Sequence, residues 1–232
     1  EEPIDPGGYF IINGTERCLV TQEDLAPNRI LIEEASKSSS ATHIAKVFST
    51  THGFRAPVTI ERRKGGDVRV SVPKVPGKVP IAILMRSLGL DSDKKIIEAI
   101  SDDLEIQKEL IPILDVANTI EVSSDPQKSI MNALDYIGKR VAVGQTQEYR
   151  IKRAQQILDR YLLPHIGYEE ENRIRKAYFL GQMTQKVLEL SLGIRRADDK
   201  DHYANKRLKL AGDLFTSLFR VSFLQLTRDI KY

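Results

Sequence analysis

At 232 residues, 41% hydrophobic and 29% charged, the chain suits one or two globular domains with a real core, and no apolar run reaches membrane-spanning length. A formal net charge of +3 excludes a generally polycationic chain, so any nucleic-acid contact must come from local patches. One cysteine, Cys18, excludes an internal disulfide or a cysteine-based zinc site and fits a reducing compartment. The chain opens Glu-Glu-Pro, without Met or a signal-peptide pattern, and runs almost directly into a strand, as expected of a fragment of something longer.

Asp5-Pro6-Gly7-Gly8 is turn material. Tyr9-Phe10-Ile11-Ile12 and residues 15–20 read as two strands joined at Asn13-Gly14, the strongest short-range hairpin signal. A further strand is expected over 29–34, and residues 36–40 form a polar loop. Residues 45–49, 58–62 and 67–72 follow as strands. Val58, Ile60, Val68, Val70 and Val72 alternate with polar residues, as in a sheet with one wet face. Arg62, Arg63, Lys64, Arg69, Lys74 and Lys78 make this meander locally basic; lysine protection of a solvated edge is preferred to a phosphate-facing surface. Pro73, Pro76, Gly77 and Pro80 mark a stiff connector.

Beyond Pro80 the pattern turns helical. Helices are predicted over 81–88, over a segment capped by Asp91 or Ser92 and containing Ile96, Ile97 and Ile100, and over 102–110. Asp125-Pro126 starts another, with Gly138 as its stop. Residues 146–163 carry one apolar face of Ile151, Ala154, Ile157, Leu158, Tyr161 and Leu162. The longest helix spans 169–192, with a stripe of Ile174, Tyr178, Gly181, Val187 and Leu188; Gly181 signals either close packing or a local weakness. A last helix over 213–229 sets Phe215, Phe219 and Phe223 at four-residue spacing, a stripe assigned to core. The fold class is α+β: a β-hairpin and antiparallel β-meander followed by a mainly helical half.

The densest chemistry lies in Asp198-Asp199-Lys200-Asp201-His202-Tyr203-Ala204-Asn205-Lys206-Arg207. Three readings stand open. Asp198, Asp199, Asp201 and His202 have the residue types of a divalent-metal site, as in a free-standing metal-dependent phosphoesterase. Lys206 and Arg207, with Arg195, Arg196 and Lys209, have those of a phosphate grip. A salt-bridged connection ahead of a helix needs neither ligand. Against metal, no second cluster with ligand spacing is evident, and His43, His52, His165 and His202 are the only histidines.

Residues 8–17 with Gln22-Glu23 resemble the Gly-x-Phe-Ile-Ile-Asn-Gly-x-Glu-Arg hairpin of the second-largest subunit of multisubunit DNA-directed RNA polymerases. Residues 198–207 resemble that subunit's Asp-Asp-x-Asp-His-x-Gly-Asn-Lys/Arg-Arg segment. Arg86-Ser87-Leu88-Gly89, Tyr136-Ile137-Gly138-Lys139-Arg140, Leu163-Pro164-His165 and Ala177-Tyr178-Phe179-Leu180-Gly181 are similar to the archaeal and eukaryotic branch, and the archaeal form fits best. The resemblance covers the chain end to end. It implies a protrusion portion (1–33), an inserted lobe (34–200) and a return to the protrusion (201–232), a non-catalytic part of a nucleotidyltransferase forming one wall of the DNA cleft. It places the catalytic Mg²⁺ on the largest subunit and implies no cofactor here. The implied partners are the other polymerase subunits, DNA and the RNA–DNA hybrid, and basal transcription factors on the lobe, in the cytoplasm at the nucleoid. The meander would serve such factors by strand addition or by charge at Arg62 and Arg63. Two departures stand out. Ala204 replaces the usual Gly, at a cost of about 1 kcal/mol if positive φ is required there. Cys18 replaces an aliphatic residue, as a buried cysteine can.

Overall fold

Asn13 and Gly14 take φ values of 52° and 76°, the two-residue turn whose twist matches a right-handed hairpin. They join β1 (Phe10–Ile12) to β2 (Thr15–Arg17), with Ile12 opposite Thr15 and Phe10 opposite Arg17. The ladder ends there because Gly7 and Gly8, both at positive φ, turn the chain away, so the returning strand stops short of the expected 20. This computed structural model describes residues 4–5, 7–51, 54–117 and 125–231; the opening residues 1–3, Pro6 of the expected turn and His52 lie outside them. The chain forms two compact units, Glu1–Ala26 with Asp199–Tyr232, and Pro27–Asp198.

The larger unit is built on a five-stranded antiparallel sheet in chain order: β4 (Leu31–Glu34), β5 (Ala41–Thr51), β6 (Phe54–Arg63), β7 (Val68–Ser71) and β8 (Lys78–Pro80). (β3, Gln22–Leu25, belongs to the smaller unit.) Alternation puts Ala45, Val47, Val58, Ile60, Val68 and Val70 in the core. The supposed connector contributes β8, because Val79 is buried opposite Val70 while Pro80 sits at the strand's end. Three of the meander's six basic side chains are paired: Arg62 with Glu109, Arg69 with Asp67 and Lys78 with Glu61.

Helices α1 (Ile81–Ser87), α2 (Asp93–Ile100), α3 (Leu104–Ala117), α4 (Pro126–Val141), α5 (Gln147–Tyr161) and α6 (Asn172–Ser191) complete this unit. Every residue of α1 is buried, as its apolar run requires. α3 continues through Pro112, past its expected end. Asp125 caps α4 by accepting from the Gln127 amide at 3.0 Å, with Pro126 in the first turn. Gly138 is not the stop of α4. It lies buried inside the helix, where an added Cβ would sit 2.7 Å from the Arg150 Cβ and carbonyl oxygen; the glycine permits close α4–α5 approach.

On α6 the inward face is Lys176, Ala177, Leu180, Gly181, Met183, Thr184, Val187 and Leu188, whereas Ile174 and Tyr178 of the expected stripe are half exposed. The small residues face inward because a neighbour's backbone comes close. A Cβ at Gly181 would fall well inside van der Waals contact of the Ala99 carbonyl oxygen on α2, so close packing is its role. Beside it, Lys176 is fully buried and donates to the carbonyls of Leu158 and Asp159, 3.1 and 2.6 Å away, in the last turn of α5.

In the smaller unit, α7 (Ala211–Lys231) has no buried residue. Phe215, Phe219 and Phe223 are about half exposed, so the aromatic stripe is not core here; its contacts are the stacking of Phe215 on Phe10 and of Phe219 on Phe223. Cys18 is likewise exposed rather than buried. Among the described residues no helix is long and apolar enough to cross a membrane.

Gly181→Ala is expected to destabilise the larger unit by about 1–3 kcal/mol or more, since backbone rather than a flexible side chain must yield; a denaturation midpoint equal to the parent's would refute the contact. Burial pushes the Lys176 ammonium down to about 8 from 10.5. Between those values the unfolded chain binds more protons than the folded one, so stability should rise with pH through that window, by up to about 3 kcal/mol. Lys176→Met should flatten that segment of the stability–pH curve, read by thermal unfolding at pH 7.5 to 10.5, and an unflattened curve would assign the rise elsewhere.

Candidate nucleic-acid interface

The smaller unit contains a two-stranded ladder that the sequence pattern does not announce. Strand β3 pairs antiparallel with β9 (Lys206–Lys209), matching Leu25 to Lys206, Asp24 to Arg207, Glu23 to Leu208 and Gln22 to Lys209. Alternation places Glu23, Leu25, Lys206 and Leu208 on one face, and Gln22, Asp24, Arg207 and Lys209 on the other. The diagonal neighbours are opposite charges: Lys206 pairs with Glu23, and Lys209 lies 2.8 Å from Asp24. Lys206 also reaches Asp201 at 3.6 Å. Its hydrogen bond to Glu23, backed by the charges of Glu23 and Asp201, holds its ammonium above the ordinary lysine range.

The approach to β9 is a knot of local hydrogen bonds. Asp199 Oδ1 accepts from the Asp201 amide at 2.8 Å, and His202 Nδ1 accepts from the Ala204 amide at 3.1 Å, capping a 3-10 turn over Tyr203–Asn205. Asn205 is the buried centre. Its side chain donates to the Asp199 carbonyl at 2.5 Å, its amide donates to the His202 carbonyl, and its own carbonyl accepts from the Ala26 amide at 2.8 Å. Ala204 lies in the 3-10 turn outside the positive-φ residues, so alanine in place of glycine carries no left-handed strain.

Asp198 belongs to the larger unit, where it closes the outer edge of β4. Its carboxylate accepts from the Ile32 amide at 2.9 Å and from Arg195 at 2.8 Å, while its own amide donates to the Ile32 carbonyl. Of the five candidate phosphate ligands, Lys206, Lys209 and Arg195 are thus ion-paired. Arg207 and Arg196 are exposed, and neither makes an ion pair among the described residues; Arg207 donates only to the Lys206 and Ala204 carbonyls. Asp198, Asp199, Asp201 and His202 are each engaged locally, and no group of three or more His, Cys, Asp or Glu able to hold a metal occurs among the described residues. A recess of about 310 Å³ lined by Glu23, Asp24, Leu25, Lys200, Asp201 and Lys206 sets three carboxylates against two lysines, a poor seat for phosphate.

Comparison with known proteins decides the family. Residues 24–209 match the family profile described as RNA polymerase Rpb2, domain 2, from β3 through β9. The chain belongs to this Rpb2 family. It is 56% identical over its whole length to the DNA-directed RNA polymerase subunit Rpo2 of Saccharolobus solfataricus, covering 20% of that protein. It is 51% identical to subunit Rpo2N of Methanocaldococcus jannaschii and 49% identical to that of Halobacterium salinarum, covering 46% and 44% of them. The chain therefore spans between about a fifth and a half of the relatives it matches.

The sequence pattern by itself gives Glu23 and Asp24 of this Rpb2-like chain no role, although an acidic pair opposite Lys206 and Lys209 is the signal that joins the strands. Asn205→Ala should destabilise the β3–β9 ladder by about 1 kcal/mol. Hydrogen exchange at the amides of Asp24, Ala26 and Arg207 in the intact subunit would read this out; protection equal to the parent's would show that the ladder stands without that side chain.

Proposed function

We propose that this chain is the lobe and flanking protrusion portion of the second-largest subunit of an archaeal-type DNA-directed RNA polymerase. In this reading it is a non-catalytic wall of the DNA cleft and a docking surface for transcription factors, working in the cytoplasm at the nucleoid. The carrying observation is the end-to-end match to archaeal polymerase subunits at about half identity. The larger unit corresponds to the lobe, and the smaller one, made from both ends of the chain, to the protrusion. The exposed apolar residues of α7 suit a helix that further polypeptide of the same subunit covers. Catalytic Mg²⁺ is assigned to the largest subunit, and no residue of this chain is given a role in holding it.

Within that reading, Arg207 and Arg196 are those of the five candidates without an ion pair among the described residues, and so with charge left for phosphate. Lys206, Lys209 and Arg195 serve first as structural partners of Glu23, Asp24 and Asp198. Backbone-directed contacts of this kind position DNA without reading its sequence. In the assembled polymerase, Arg196→Ala with Arg207→Ala should lower the slope of log affinity against log salt by roughly one for each phosphate that these arginines neutralise. Lys206→Ala should leave the slope as it is. An unchanged slope in the double variant removes both arginines from the nucleic-acid path.

A further inference from the structure

The outer face of α5 carries charge of one sign. Helical spacing gathers Tyr149, Lys152, Arg153, Gln156 and Arg160 into an arc about 100° wide, and all five are exposed. Ala154, Ile157 and Leu158, on the other side, are buried. The arc therefore holds three cations and no carboxylate. Lys152 makes no ion pair among the described residues, and neither does Arg153, which donates to Gln156 Oε1 on the same face at 3.3 Å. Arg160 is also without one and lies 5.8 Å from the Tyr161 ring. Of the two carboxylates in α5, Glu148 precedes the arc in the first turn, and Asp159 is taken by Arg173 at 2.6 Å. On α2, by contrast, Lys94 is answered by Glu98 at 3.8 Å and Lys95 by Asp91 at 2.7 Å. A face that needs only solvation mixes the two signs in this way. Cations left without counter-charge raise the local potential and favour an anionic partner.

At its C-terminal end the arc runs into a cleft of about 510 Å³ lined by Phe54, Asp159, Arg160, Tyr161 and Tyr168. The Phe54 and Tyr161 rings lie 5.7 Å apart, tilted by 60°. Phe54 and Tyr168 remain 38% and 48% exposed, so aromatic surface stands open beside an uncompensated arginine. The surroundings are fixed in advance. Lys176 holds the carbonyls of Leu158 and Asp159 in the last turn of α5, and buried Ser49 bonds both the His165 amide and its Nδ1 in the loop that follows, at 3.2 and 2.7 Å. A frame already ordered spares a ligand that cost.

The length of the stripe selects among anions. From Tyr149 to Arg160 it covers roughly 17 Å of helix. Glu148 stands at one end, and the exposed run of Glu169, Glu170 and Glu171 follows Tyr168 at the other. A phosphate backbone laid along the helix would continue past both ends and meet these carboxylates, whereas a short acidic peptide ends within the stripe. A duplex backbone also has no group with which to fill the aromatic cleft. We infer that the outer face of α5 docks an acidic segment of a partner protein, whose carboxylates meet Lys152, Arg153 and Arg160 and whose one aromatic side chain enters the cleft between Phe54, Tyr161 and Tyr168. This rests on the docking role proposed above and gives it a place and a ligand chemistry.

The test uses the complete subunit assembled in its polymerase and a fluorescein-labelled Glu-Asp-Glu-Phe-Glu-Asp-Glu peptide, read by anisotropy at low salt. The peptide should bind, and Lys152→Gln with Arg153→Gln and Arg160→Gln should weaken it by roughly tenfold or more. Tyr168→Ala should weaken it by about threefold or more. Removing the same number of charges elsewhere, by Lys64→Gln with Lys74→Gln and Lys128→Gln, should change affinity by less than about twofold. No binding, an equal loss in the two triple variants, or no effect of Tyr168→Ala overturns the inference. So does an α5 triple variant that binds the peptide like the parent while its affinity for duplex DNA falls, which would make the face a nucleic-acid surface. Failure of the subunit to assemble with polymerase partners would instead count against the family-level role, and it is scored separately by co-purification.

Discussion

How closely α6 approaches its neighbours is the constraint on which the larger unit depends. Gly181 lets the Ala99 carbonyl rest against the helix backbone, and Gly138 does the same for the α4–α5 contact. The inward face of α6 also carries Lys176, a cation in a core that would normally reject one. It is tolerated because two carbonyls at the end of α5 accept hydrogen bonds from it. Burial, with the Arg173 charge nearby, nonetheless lowers its pKa to about 8, because the two carbonyls and Asp159 offset only part of the cost of removing an ammonium from water. The sheet is thereby covered by helices whose positions are set by backbone contact and not by side-chain bulk alone.

The charged segment over 198–209 looks in isolation like a ligand site, and in the fold most of its polar atoms are committed to holding the chain. Asp198 closes a sheet edge, Asp199 and His202 order turns, Asn205 ties the segment to Ala26, and Lys206 and Lys209 bind strand β3. Charge density in a sequence therefore measures demand for partners as much as supply for ligands. What this segment retains for an external anion is Arg207.

The elements visible in the sequence were those with strong local chemistry: the Asn13-Gly14 hairpin, the alternating strands of the meander, the Asp125-Pro126 helix start and the apolar face of α5. Elements defined by distant partners were not visible. β3 and β9 are short, polar and far apart, and only their complementary charges reveal the pairing. Gly138 reads as a stop until Arg150 is seen against it, and Gly144, at φ 77°, lies beyond the true end of α4. Of the stripe expected on α6, Gly181, Val187 and Leu188 do face inward, but Ile174 and Tyr178 do not: large residues suggest core, whereas the packing there takes Ala177 and Lys176. Phe215, Phe219 and Phe223 show the converse, since helical spacing cannot say whether anything covers a stripe. The candidate site was legible as a segment and not as an arrangement: Lys206 and Arg207 are adjacent in the chain and face opposite ways, one toward Glu23 and one to solvent.

The bonds between Asp198 and Ile32 join residues 166 positions apart, and they lie at the two ends of the larger unit. That unit therefore closes on itself where the chain enters and leaves it. The consequence is one of folding order. Pairing β3 with β9, whose ion pair spans 185 positions, would require closing a very long loop from a disordered chain. Once the larger unit has folded, its ends stand together and the effective loop shrinks to a few residues, which lowers the closure cost by roughly 2–3 kcal/mol. Closing the larger unit first is therefore the cheaper order, because the β3–β9 ladder then pays only for the short remaining loop.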